Sequence, residues 1–346
     1  QDEYNPLGLP KVYFNNQFYL IDDEILPGAR HTNAKPGIII SASSDQVCVA
    51  VKDGAVTFSS FRSLGGKALA FDKLPGLSIG TNLAELSTSH ADEIDTYNQR
   101  QAKHERFWLD RLLSANPFSL SGHLATKTGT QKTPTTINQE FELNDTLKRN
   151  LKAAFPETDV AALIASLFCC FLHRISDSTS FDIGLNNGGD KLSNTIQKLF
   201  SLITPLTLAI ENQKSLSTLV SELSITLNSL KSKGHYAKDL IARAPEIEQT
   251  TFPVCLELLD ELPTDSPDTS TPASVVLSLQ NNTGNGQWTF DYSTLKQEQT
   301  NQFTDKFILF LNHAAEQANT PLAKICLFSS KKRHTILVEW NQTDKS

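Results

Sequence analysis

The spacing of apolar residues changes character once along this chain, and that change limits what it can fold into. Up to about residue 70 they come in short runs cut by turn residues; from about residue 91 they recur at helical spacing, alternating with further short runs. Lys11-Val12-Tyr13-Phe14, Asn15-Asn16-Gln17 and Phe18-Tyr19-Leu20-Ile21 predict a hairpin whose turn tolerates left-handed backbone. Gly37–Ala42, Gln46–Val51 and Ala55–Phe61 predict three more strands, separated by Ser43-Ser44-Asp45 and Lys52-Asp53-Gly54. Val47, Val49 and Val51 alternate with Cys48 and Ala50, giving two largely apolar faces, as in a small closed barrel.

Residues 71–90 carry Pro75-Gly76, Gly80 and Ser87-Thr88-Ser89, and read as a linker. A helix follows near Ala91, with Asp92 and Glu93 against its N-terminal dipole and Tyr97, His104, Phe107, Trp108, Leu109 and Leu112 near helical spacing. Helices are predicted over Leu143–Phe155, Asp159–Ser176, Leu192–Leu202, Leu216–Ser232 and Thr300–Gln317. Strands are predicted over Phe181–Leu185, Leu206–Ile210, Cys255–Leu259, Val275–Leu279 and Thr289–Tyr292. Gly234 stands where a helix C′ glycine belongs. The whole reads as a mixed α/β (α+β) chain.

Composition narrows the function classes. With 346 residues there is length for two domains, and 39% hydrophobic with 20% charged residues is ordinary for a folded protein. A net charge of −7 and a pI near 5.6 argue against nucleic acid, because neutralising phosphates needs a concentrated basic surface. Lys331-Lys332-Arg333 reads as a solvated charge run. The longest apolar run, Val160 to Leu172, is too short for a membrane span and suits a buried helix. The opening Gln1-Asp2-Glu3 carries no leader pattern, so no membrane and a cytoplasmic location are expected. Cys48, Cys169, Cys170, Cys255 and Cys326 form no metal-type pair and read as core thiols in a reducing compartment. No phosphate-binding glycine loop and no nucleophile elbow occur. Asp22-Asp23-Glu24 reads as a solvated edge cluster, and His31, His90 and His123 as loop residues.

Two stretches resemble known families. Lys35 to Lys67, with Pro36-Gly37 before its third strand and Gly65-Gly66-Lys67 after its last, resembles the C-terminal β-domain of methionyl-tRNA formyltransferases. That resemblance implies a small OB-like β-barrel over residues 1–70. Tyr97 to Asn341 resembles the condensation domain of nonribosomal peptide synthetases, entered partway through. YNQRQAKHERFWLDRL opens the match, and Asp182-Ile183-Gly184 stands at the family's strand ending in Gly. LFSLITPLTL (Leu199–Leu208) stands at GxFVNTLPLR without its Gly, Asn and Arg. His235-Tyr236-Ala237 stands at HQDxPFE without the Pro-Phe-Glu. Trp340-Asn341-Gln342-Thr343 matches the WNxT that precedes an adenylation domain. The resemblance implies the C-terminal lobe of a chloramphenicol acetyltransferase-like fold over residues 91–346, truncated relative to the two-lobed family.

Neither catalytic signature, HHxxxDG or the formyltransferase Asn/His/Asp centre, is present as such. The nearest candidate is Leu172-His173-Arg174-Ile175-Ser176-Asp177-Ser178. Its His173 could serve an acceptor amine and its Asp177 could hold the loop. It lies after the Tyr97 helix, whereas the family's loop precedes it, so a histidine ending a helix is the preferred reading and no catalytic residue is assigned. The resemblance implies a non-catalytic scaffold or interdomain region of a nonribosomal peptide synthetase, making a secondary-metabolite or siderophore-type peptide. Its partners would be adenylation, carrier-protein and formyltransferase core domains. The alternatives are part of an initiation module that formylates an amine or hydroxylamine, or a diverged condensation domain completed by another chain. Formyl-tetrahydrofolate and phosphopantetheine are implied for the parent protein, and no cofactor for this segment.

Overall fold

The computed structural model describes residues 8–21, 25–28, 33–43, 46–71, 74, 76–83, 86–120, 136–176, 178–188, 192–247, 250–263 and 273–327. Asp22-Asp23-Glu24, His31, His123, Asp177, Lys331-Lys332-Arg333 and Trp340–Thr343 lie outside them. Contacts divide the chain into two compact units, each discontinuous in sequence. The first comprises residues 1–114, 190–202 and 233–250, and the second residues 115–189, 203–232 and 251–346. The helical residues 88–102, 105–113, 194–199 and 240–243, which the sequence reading groups with the condensation-like region, fall in the first unit with the N-terminal strands.

In the first unit β1 (Lys11–Phe14) and β2 (Gln17–Ile21) form the expected hairpin, with Asn15 and Asn16 at φ 46° and 63°. Asparagine occupies this left-handed region more easily than other non-glycine residues, which is why the turn could be read in advance. β3 (Leu26–Pro27), β4 (Ile39–Ala42), β5 (Val47–Val51) and β6 (Gly54–Phe58) follow, then β7 (Phe61–Arg62) and β8 (Ala68–Leu69). They pair as two four-stranded sheets, in the orders β1-β2-β7-β8 and β3-β6-β5-β4.

The expected closed barrel is not found: among the described residues no ladder joins one sheet to the other. Ser59-Ser60 interrupts what the sequence presents as one strand over Ala55–Phe61, and the chain leaves one sheet there and enters the other. The two sheets instead share one core, with Phe14, Tyr19 and Ile21 meeting Ile39, Val47, Val49, Phe58 and Phe61. Sharing a core buries the apolar faces as closure would, and needs no shear between the end strands.

The rest of this unit is helical. Ser87 caps α1 (Thr88–Ala102) by accepting from the His90 N–H, and α2 (Glu105–Leu113) follows after a break at Lys103-His104. α5 (Asn194–Leu199) and α7 (Leu240–Arg243) complete it.

The second unit is built on a six-stranded mixed sheet, ordered β11-β10-β12-β13-β14-β9. Its strands are β9 (Thr136–Phe141), β10 (Ser180–Asn186), β11 (Thr204–Ala209), β12 (Val254–Leu259), β13 (Val275–Gln280) and β14 (Gly286–Asp291). β10, β12 and β13 run parallel, flanked by antiparallel neighbours. Gly184 is needed at the β10–β12 pairing, because a Cβ there would sit 2.4 Å from Cys255 Sγ and 2.7 Å from Ile203 Cγ2.

The helices are α3 (Asp145–Ala154), α4 (Val160–Ile175), α6 (Leu216–Lys233) and α8 (Gln297–Glu316). α4 is buried on all sides from Leu163 to His173, which explains an apolar run with no amphipathic period. Phe168 and Phe171 of α4 meet Phe303 and Phe307 of α8 and Trp288 of β14, with ring centroids 5.3–5.9 Å apart. No helix among the described residues is long and apolar enough to cross a membrane. Phe307, fully buried at the centre of this cluster, is the position to test. Phe307→Ala is expected to destabilise the unit by about 3–5 kcal/mol, read by urea denaturation with tryptophan fluorescence.

Candidate functional site

His173 closes the last turn of α4. It is 5% exposed, lies 6.3 Å from the Phe181 ring in a near-parallel stack, and has no hydrogen-bond partner on Nδ1. Burial, and then the neighbouring Arg174 charge, hold its pKa below 6.5. Burial therefore outweighs the attraction of the helix C-terminus for a cation, and the imidazole is a neutral core group. Asp177, its expected companion, lies outside the described residues.

Cys169, Cys170 and Cys255 are buried core thiols as expected, whereas Cys48 and Cys326 are only partly buried. Burial pushes the Cys169 thiol up to about 12 and raises Cys170 and Cys255 as well, so these three are poor nucleophiles. Among the described residues no group of three His, Cys, Asp or Glu could hold a metal.

The other motif positions have structural work. The Asp182 carboxylate, buried in β10, accepts from the Asn116 backbone N–H (2.6 Å) and from Thr207 Oγ1 (2.5 Å). His235 lies in the first unit, where its Nδ1 is 2.8 Å from Tyr97 Oη and its backbone N–H donates to Gln101 Oε1 at 3.2 Å. Trp108 Nε1 donates to the Lys233 carbonyl at 3.3 Å. The sequence singles out Tyr97 and His235 separately, and the fold brings them together.

A cluster of largely buried ionic groups, Lys11, Glu105, Asp239 and Arg243, escaped the sequence reading. Arg243 grips Glu105 through both guanidinium nitrogens, at 2.8 and 2.6 Å. Burial alone would lower the Arg243 pKa; hydrogen bonding to Glu105 and the charges of Asp239 and Glu105 more than offset it and raise it. The Asp239 carboxylate accepts from Lys11 Nζ at 2.5 Å and from the Leu9 N–H at 2.9 Å. The only prior signal was the i, i+4 spacing of Asp239 and Arg243 on a short helix.

A cavity of about 490 Å³ opens in the same unit, lined by Gln17, Phe18, Tyr19, Ser63, Leu64, Leu69, Leu74, Lys198 and Lys238. Lys238 Nζ donates to the Gln197 carbonyl at 2.9 Å, and burial lowers its pKa. Lys198 Nζ donates to Asn16 Oδ1 and lies 5.9 Å from the centre of the Tyr13 ring.

No family model matches the chain, and no curated protein matches it in sequence. Solved structures do match in fold. The first condensation domain of the CDA synthetase matches at 14% identity and a TM-score of 0.53, over 85% of this chain and 71% of that one. The starter condensation domain of rhizomide synthetase matches at 16% identity and a TM-score of 0.51, over 72% of this chain. The complex of the X-domain and OxyB from teicoplanin biosynthesis matches at 11% identity and a TM-score of 0.52, over 81% of this chain and 72% of that one. This chain spans 61% of the length of the rhizomide structure. The fold is thus similar to that of these condensation domains.

The state of His173 has a consequence for pH. Its folded pKa lies below 6.5, so the unfolded chain binds more protons in that interval. Its contribution to stability is complete above pH 6.5 and is lost as pH falls through 6.5 towards the folded value. Urea midpoints should fall with acidification below pH 6.5, and His173→Leu should flatten that slope. A variant that keeps the wild-type slope would assign the pH response to other groups.

Proposed function

We propose that this chain is a non-catalytic interdomain region of a nonribosomal peptide synthetase. In this reading a condensation-type fold, truncated and without its HHxxxDG loop, is fused to a β-domain of formyltransferase C-terminal type. The region holds neighbouring adenylation, carrier-protein and formyltransferase core domains in register. Formyl-tetrahydrofolate and phosphopantetheine serve the parent protein and not this segment.

One observation carries the reading. Phe18 of the N-terminal hairpin is buried in one core with Tyr97, Ile196, Leu199 and Phe200, and partly buried Tyr13 and Leu64 pack against it. The N-terminal strands are therefore knit to helices from the condensation-like sequence, as a spacer requires and a flexible tether would not provide. The burial of His173 without a partner and the structural engagement of Asp182 and His235 fit a site-free region. A fold of this kind also occurs in the solved complex of the X-domain and OxyB.

Two experiments test the proposal. Purified protein should form no amide between loaded carrier proteins and transfer no formyl group; condensation that is abolished by His173→Ala would overturn it. Backbone 15N relaxation should give one correlation time for β1–β8 and for α1. Separate tumbling of the strands would remove the spacer role.

A further inference from the structure

The cavity of the first unit has a composition that no spacer role requires. Phe18, Leu64, Leu69 and Leu74 give it an apolar lining, and Lys198 and Lys238 add two ammonium groups. At about 490 Å³ it falls within the roughly 300–1,000 Å³ of small-molecule pockets, whose usual plan is an apolar wall with a few fixed polar groups.

Both lysines are held in place by the backbone around them. The Lys238 N–H donates to the Leu199 carbonyl, the Ser201 N–H donates to the Tyr236 carbonyl, and Phe200 bridges Ala237. The two strands of this bridge fix residues 198 and 238 relative to each other. The part of the lining from Ser63 to Leu69 is equally fixed, because Ser63 and Lys67 close the β7–β8 turn by mutual hydrogen bonds, with Gly66 at φ 85°.

The lysines are also short of negative charge. The chain carries 38 acidic against 31 basic residues, yet neither lysine forms an ion pair with a carboxylate among the described residues. Lys238 rests on a carbonyl and Lys198 on an amide oxygen and a ring face. Half-buried ammonium groups held by neutral acceptors retain most of their capacity to bind an anion.

We propose that this cavity binds an amphipathic anion, a carboxylate on an unbranched apolar body. Its charge sits at Lys198 and Lys238 and its chain lies along Phe18, Leu64, Leu69 and Leu74. The site is independent of the spacer role and would stand if that role failed.

Octanoate, octan-1-ol and inorganic phosphate, each titrated into the full chain and followed by 1H–15N correlation spectra, test this. Octanoate is expected to bind saturably, shifting the amides of Ser63, Leu64 and Leu69. Lys238→Gln and Lys198→Gln should each weaken it by about tenfold, the loss of one charge-assisted hydrogen bond. Leu69→Trp, which fills the apolar wall and leaves both lysines, should abolish binding; it keeps the test valid if a lysine variant fails to fold. Octanol should bind more weakly than octanoate. No saturable shift, equal binding of octanol, or unchanged affinity in the folded variants would each overturn the assignment. So would phosphate binding as tightly as octanoate, since the alkyl chain would then contribute nothing.

Discussion

β2 is buried on both faces, and the first unit depends on that. Tyr19 and Ile21 enter the core shared by the two sheets, and Phe18 points the other way, against Tyr97, Ile196, Leu199 and Phe200. Alternation along a strand makes one short segment a partition between two cores. Each fully buried aromatic contributes on the order of 1.5–3 kcal/mol of transfer free energy, so neither core can be dismantled without exposing the other side of the strand. The Tyr13–Phe18 pair, with ring centroids 4.8 Å apart, braces the hairpin from within.

Around this partition several polar residues of the unit bind one another. Tyr97, Gln101 and His235 satisfy one another, and Glu105 and Arg243 form a bidentate pair. Buried ionic pairs of this kind contribute little net stability, since desolvation opposes attraction, but removing one partner is strongly destabilising. They fix the return of the chain over residues 233–247 onto α1 and α2. That fixed return is also what sets Lys238 in the cavity wall.

The second unit shows a division of labour between sheet and helices. Its parallel centre, β10, β12 and β13, is buried strand by strand, with Ile183, Leu185, Leu256, Val275, Leu277 and Leu279 out of solvent. The aromatic residues of α4, α8 and β14 fill the cover, and His173 at the end of α4 stacks beside Phe181 of β10.

Local chemistry determined the elements that rest on it. Asn15-Asn16 set the first hairpin, Ser87 caps α1, and Gly234 at φ 61° ends α6, because each acts through neighbours in sequence. The strong apolar runs placed α4, β10, β12 and β13 for the same reason. β9 (Thr136–Phe141) was missed, because a mostly exposed edge strand carries polar residues and no clear period. The open two-sheet arrangement was decided by the tertiary structure, since alternating strands satisfy a closed barrel and a shared core equally well. The pairing of Tyr97 with His235, and the meeting of Lys198 and Lys238 in one cavity lining, also needed the fold. Those partners are far apart in sequence, and only the packing of α1, α5 and residues 233–247 around β2 brings them within reach.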